Sequence, residues 1–136
     1  MRRENDGVSR EKKIELLEEI CTHHGHKIFR KVVLNQEAKA DAGKLPMNLV
    51  PTQISRDIAQ VRQYGNEKYG DPDNWRKVEK LRYVAALERH LLAYKDYLNG
   101  DDDGFDKESE IEHHKHMACN MAFICEMERW EKEGEA

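Results

Sequence analysis

Two long segments of helical spacing, joined by a short acidic link, constrain this chain more than any other feature. The first runs from about Trp75 to Leu98 and is ended by Asn99-Gly100. The second covers about 107–132. Val78, Leu81, Val84, Ala85 and Leu92 recur at the spacing of one helix face. Only the acidic segment 101–106 separates the two, so antiparallel packing would bring the middle of the first helix near the start of the second.

The rest of the chain reads as further helix and loop. Ser9 is placed to cap a helix carrying Ile14, Leu17, Ile20 and Cys21, with Gly25 interrupting it. Residues 26–40 fit a helix or a short strand, and periodicity does not choose between them. Residues 41–51 hold Pro46 and Pro51 and read as an ordered loop, with Leu45, Leu49 and Val50 as candidates to dock on the core. Thr52 opens a helix with Ile54, Ile58, Val61 and Tyr64 on one stripe, and Gly65 is its expected stop. A second polar loop covers 65–74. The fold class expected is all-α: a single small helical domain of four or five helices with ordered loops. Residues 1–40 form an N-terminal helical extension to a helical domain over 41–132.

Charge and cysteine content narrow the function. The formal net charge of −4 argues against a nucleic-acid binder, because phosphate backbones need a basic face. Cys21, Cys119 and Cys125 are odd in number and lack CxxC spacing, which fits reduced thiols in a cytoplasmic protein. No apolar run is long enough to span a membrane, and the Met-Arg-Arg-Glu-Asn-Asp start lacks the apolar stretch of a signal peptide.

Two polar rows carry the chemistry. At about 100° per residue, Ser109, His113, His116 and Asn120 project within an arc of roughly 60°, with Asp106 beside them or capping the helix. The row runs into the apolar turns Met121–Met127, so its histidines and asparagine need partners. On the preceding helix, Arg82, Ala86, Arg89, His90, Ala93 and Tyr97 form a second stripe. Small residues between two guanidinium groups leave room for an anion, and arginine suits phosphate through paired, charge-assisted hydrogen bonds. Antiparallel packing would set Arg89 and His90 against the His113–His116 row. Such a pocket could hold a nucleotide phosphate, with or without a metal on Asp106, His113 and His116. The alternative is a structural network in which Arg89 pairs with Asp106 or Glu108 and the histidines bond to backbone.

Two weaker constellations stand beside these. Asn99, Asp101, Asp103, Gly104 and Glu110 fall at positions 1, 3, 5, 6 and 12 of an EF-hand calcium loop, but Asp106 occupies a position that is normally apolar. Cys21, His23, His24 and His26 are metal-capable but crowded for tetrahedral ligation.

The rows sit inside a longer pattern: Asp41-x-Gly43-Lys44-Leu45-Pro46, Val50-Pro51, Tyr64-Gly65-x-x-Lys68-Tyr69-Gly70 and Asn74-Trp75. It continues with Tyr83-x-x-Ala86-Leu87-x-Arg89-His90-Leu91, Asp106-x-Glu108-Ser109, His113-x-x-His116 and Asn120. This pattern resembles the N-terminal domain family of phage dATP/dGTP diphosphohydrolases, and stand-alone phage proteins related to it. The resemblance implies a phage-encoded protein that acts on or binds purine deoxynucleotides, the full enzymes converting a dNTP to dNMP and pyrophosphate. It implies His113, His116 and Asp106 as catalytic or metal-holding candidates, with Mg²⁺ or another divalent metal. Nucleotide-binding candidates are Lys44, Lys68, Asn74, Arg82, Arg89, His90, Ser109 and Asn120. Position 110 is Glu where the family pattern favours Gly, so a difference is expected at the start of the last helix.

The pyrophosphohydrolase chemistry of those enzymes is expected in a following MazG-like domain with Glu/Asp clusters, for which a chain stopping at Ala136 has no room. Glu15, Glu18 and Glu19 are the nearest such cluster, and read as a solvated helical turn. The alternative function is therefore a non-catalytic phage interaction protein that sequesters a nucleotide signal or regulates a host enzyme. A helix with two apolar faces also points to a homo-oligomer.

Overall fold

The computed structural model describes residues 15–21 and 27–134, with side chains described from Lys31 onward. The chain divides into two compact units, Met1–Leu45 and Pro46–Ala136.

The first unit holds an antiparallel pair, β1 (Glu15–Cys21) and β2 (Lys27–Val33). Its register sets Leu16 against Val32, Glu18 against Arg30 and Ile20 against Ile28. The helical extension expected over 1–40 is thus corrected in its described part. Ile28, Val32 and Val33 are β-branched and favour the extended state, and a second strand to pair with outweighs a seven-residue stretch of weak helical spacing. Glu15, Glu18 and Glu19 lie along a strand and form no helical turn. Ser9, Ile14, Gly25 and the His23, His24 and His26 group fall outside the described residues.

The second unit is built on three α-helices: α1 (Gln53–Tyr69), α2 (Lys80–Leu98) and α3 (His113–Glu133). The architecture is mostly helical, with three α-helices among the described residues where four or five were expected. Both α1 and α2 pack on α3. Helix α2 runs antiparallel to α3: Lys80 at its start binds Glu128 and Glu131 near the end of α3, while His90 reaches His113 at its beginning. Cys119 and Met127 of α3 and Ile111 of the loop before it are buried. Trp75 stacks on Phe123 and Trp130 at ring separations of 4.8 and 5.2 Å, and Tyr83 tilts against Phe123.

Several boundaries differ from the sequence reading. Gly65 does not stop α1, because one glycine costs a helix only about 1 kcal/mol and the residues after it still pack. Gly70 ends it instead, at φ +69°, its N–H bonded to the Asn66 carbonyl at 2.9 Å. The helix expected from Trp75 begins at Lys80; a 3₁₀ turn over Asn74–Lys77 precedes it, and the Tyr83 hydroxyl donates to the Trp75 carbonyl. The stripe of α2 that looked core-like is largely outward, with Leu81 and Leu92 exposed, because the arginine–histidine stripe is the one that meets α3. Leu45, Leu49 and Val50 are exposed and do not dock on a core. No helix among the described residues is long and apolar enough to cross a membrane.

Candidate functional site

The last helix starts at His113, so Asp106 and Ser109 are not on it. They belong to a tight loop that folds back on itself before α3. The Asp106 N–H donates to the Ile111 carbonyl at 2.8 Å, the Glu110 N–H to the Asp106 carbonyl at 2.8 Å, and the His113 N–H to the Gly104 carbonyl at 2.9 Å. Phe105 and Glu112 form an isolated antiparallel bridge, and buried Ile111 anchors the loop. Glu110 sits at φ 60°, the single non-glycine residue with positive φ in the chain's described backbone. A left-handed residue there explains why a glycine suits this position.

The loop delivers Asp106 and Ser109 to the same place the helical row would have reached. The Ser109 N–H and hydroxyl both bond to Asp106 Oδ2, at 2.9 and 2.8 Å. Ser109 Oγ also lies 2.6 Å from His116 Nε2. His116 stacks flat on His90, with ring centroids 4.5 Å apart and planes within 5°. His90 Nδ1 meets His113 Nδ1 at 3.0 Å, and His113 Nε2 faces Asp102 at 3.4 Å. Asn120, buried one turn on, donates to the His116 carbonyl. The polar row is thus real as a cluster but is assembled from a loop, α2 and α3.

Burial sets the charge states. Desolvation, with the neighbouring His116 charge, pulls His90 down to about 4, against an opposing pull from Asp106. His116 is also lowered by desolvation, partly offset by Asp106. Both rings are neutral near pH 7 and can offer lone pairs. Desolvation acts to raise Asp106, but the two Ser109 hydrogen bonds and the nearby histidines outweigh it and leave it lowered, hence ionised.

This cluster forms one end of a cleft of about 570 Å³. His90, Asp106, His116 and Asn120 line it, whereas His113 and Ser109 sit behind that wall, bonded to its members. Arg82 and Arg89 also line it, about 10 Å apart along α2 at 1.5 Å per residue. Neither guanidinium makes an ion pair or hydrogen bond among the described residues. The pairing of Arg89 with Asp106 or Glu108 that a structural network requires is absent there; Glu108 pairs instead with Lys68. Lys68 lines the cleft from α1, its ammonium 5.3 Å from the centre of the Tyr69 ring. Asn74 lines it from the 3₁₀ turn. Lys44 belongs to the first unit, in a turn closed by its own N–H on the Asp41 carbonyl at 3.1 Å, with Gly43 at φ +78°.

The metal set expected from spacing changes. Among the described residues, the group of ligating atoms close enough to share an ion is His90, Asp106 and His113, all within 4.8 Å of one another. His116 is not in that group; its Nε2 lies 2.6 Å from Ser109 Oγ and 3.9 Å from Asp106 Oδ2. The EF-hand residues do not converge either: Asp103 bonds to the Phe105 N–H and Lys107, and no such group includes Asp101 or Glu110. Sequence reasoning missed Asp102. Its distance from His113 along the chain gives no periodic signal, and only closure of the loop brings them together.

A family model described as "dATP/dGTP diphosphohydrolase, N-terminal" matches residues 34–136. The chain belongs to this family. It is also 31% identical over 86 residues to a dATP/dGTP diphosphohydrolase of Salmonella phage PMBT28, an alignment covering 63% of this chain and 28% of that protein. The family member described here therefore matches little more than a quarter of the length of that relative. No solved structure matches the chain significantly. The matched region begins at Leu34, just after β2, and takes in every residue of the cleft.

Proposed function

We propose that the helical unit binds a purine deoxynucleotide in the cleft between α1, α2 and α3, as part of a phage protein that acts on such nucleotides. The observation that carries this reading is the pair of arginines, Arg82 and Arg89, which line the cleft with no carboxylate partner among the described residues. Two unneutralised arginines whose backbone positions stand about 10 Å apart along α2 can engage different parts of one polyphosphate or nucleotide. Lys68 adds a third cation once Glu108 releases it. Family membership and the phage relative's name support a purine dNTP as the ligand. His113, His116 and Asp106 remain the residues to test for hydrolysis to dNMP and pyrophosphate, in host cytoplasm.

Thermal unfolding with each dNTP tests the binding. A purine dNTP at millimolar concentration is expected to raise Tm, and Arg89→Ala to remove the rise while leaving the unliganded stability within about 0.5 kcal/mol, as exposed substitutions do. No rise with any purine nucleotide would sink the proposal. Product analysis by chromatography then separates cleavage from retention.

A specific observation favours retention as the second reading. The metal-sized group among the described residues contains one carboxylate, Asp106, and two imidazoles. Carboxylate clusters that hold the ions of phosphoryl chemistry are richer in acid. Recovery of intact nucleotide after release would support a sequestering or regulatory role. Exposed Leu81, Leu92 and Leu98 on α2 support self-association, which light scattering can measure.

A further inference from the structure

The His90 imidazole, which lines the cleft, and the His113 imidazole behind it face each other nitrogen to nitrogen. A 3.0 Å approach of Nδ1 to Nδ1 admits two explanations. One is an N–H···N hydrogen bond, which needs a proton on one Nδ1. The other is a cation held between two lone pairs. The surroundings of His113 bear on the choice. Its Nε2 faces the Asp102 carboxylate, an acceptor that draws the ring proton to Nε2 and leaves Nδ1 bare. Asp102 is itself held in place by the Gly104 N–H at 2.9 Å. A carboxylate behind a histidine, with the opposite ring nitrogen presented inward, is the arrangement that orients histidine ligands around metals.

The third donor lies close by. Asp106 completes a group of three ligating atoms within 4.8 Å of one another, and Ser109 pins its carboxylate with two hydrogen bonds. His116 stacks along the far face of His90 and fixes that ring's plane. Two imidazoles on one ion at about 2.0–2.1 Å would stand 3.0 Å apart at an N–metal–N angle of about 91–97°. That is close to the right angle between neighbouring positions of an octahedron. Two nitrogens and one carboxylate are the donors of first-row transition metals, whereas Mg²⁺ prefers oxygen.

We propose that His90, His113 and Asp106 bind one divalent transition-metal ion through the Nδ1 atoms of both histidines, with Asp102 holding His113 in the tautomer that presents Nδ1. The ion would sit at the end of the cleft that half-buried His90 and Asp106 line. The broad expectation of Mg²⁺ or another divalent metal is thereby narrowed to an ion that accepts nitrogen.

The test uses the untagged full chain, stripped with chelator and labelled with ¹⁵N-histidine. Zn²⁺, as a diamagnetic probe, is added with no nucleotide present, so the outcome is independent of the phosphate-binding reading. The expected result is a shift of the Nδ1 signals of His90 and His113, with both Nε2 atoms remaining protonated. Site-resolved signals keep His23, His24 and His26 out of the reading. Calorimetry with Mn²⁺, Co²⁺, Ni²⁺, Zn²⁺ and Mg²⁺ should give one tight transition-metal site and far weaker Mg²⁺ binding. Asp106→Asn and His113→Ala should remove it. Asp102→Asn, a positioning change, should weaken it about 10–100-fold without moving the Tm of the metal-free protein. Should His113→Ala fail to fold, Asp106→Asn and the labelled wild-type chain still decide. Unchanged Nδ1 signals at saturating Zn²⁺, coordination through Nε2, or Mg²⁺ binding as tight as Zn²⁺ would each overturn the proposal.

Discussion

Gly104 is the residue on which the candidate site most depends without contributing a side chain to it. Its φ is +87°, and a Cβ built there would lie 3.0 Å from Cδ2 of the Tyr97 ring. Its N–H holds Asp102 and its carbonyl accepts from the His113 N–H, so both histidine contacts hang on this backbone. In Gly104→Ala the left-handed conformation costs about 1–2 kcal/mol. Crowding against Tyr97 costs about 1–3 kcal/mol, toward the lower end because that ring is 45% exposed and can move. Reduced freedom of the unfolded chain returns about 0.4–1 kcal/mol. The net loss expected is about 2 kcal/mol, or a fall in Tm of about 8–16 °C at 4–8 °C per kcal/mol. Gly100→Ala is the matched control, since Gly100 is at φ +83° with nothing within 4 Å of its added Cβ. It should show the backbone cost alone, about 0.5–1 kcal/mol. Urea unfolding followed by circular dichroism measures both, and Gly104→Ala in a Tyr97→Ala background should fall back toward the control. Equal losses for Gly104→Ala and Gly100→Ala would refute the close-packing argument.

Three further outcomes are expected. Glu110→Gly should raise stability slightly, by up to about 1 kcal/mol, because it relieves a non-glycine residue at φ 60°; a drop in Tm would show that the Glu110 side chain does something the backbone does not reveal. In chelated protein, stability should fall as pH drops from about 7 toward 4. His90 and His116 have folded values lowered from 6.5, His90 to about 4, so between those limits the unfolded chain binds more protons than the folded one. His90→Gln should flatten that slope in a Tm-versus-pH series, and an unchanged slope would count against burial of a neutral ring. Cys119 is buried, its thiol pushed up to about 11 by desolvation, while Cys125 is exposed. Ellman's reagent should therefore modify Cys125 in the native protein and reach Cys119 only on unfolding; rapid native labelling of Cys119 would contradict the packing along the α2–α3 seam.

Much of the site was legible before any coordinates, and some was not. The spacing of His113, His116 and Asn120 placed them on one face of a helix, and that face is the one packed inward. Arg82, Arg89 and His90 shared a stripe by the same arithmetic, and they share a cleft wall. Helical periodicity failed for Asp106 and Ser109, which match the row in number but sit in a loop; the backbone bonds from Asp106 to Ile111 and from His113 to Gly104 decide their position. It failed again for 15–21, where pairing with 27–33 overrides a short pattern that fits either state.

The sequence by itself determined the inward face of α3, the family, and the residue types available for an anion and a metal, because these follow from local period and from chemistry carried in single side chains. Only the tertiary structure decided which of those residues meet. Asp102 reaches His113, His90 meets both His113 and His116, and Arg89 is left without Glu108, because each depends on how the loop over 99–112 closes and how α2 crosses α3. Contacts between residues far apart in the chain carry no period, so no spacing announces them.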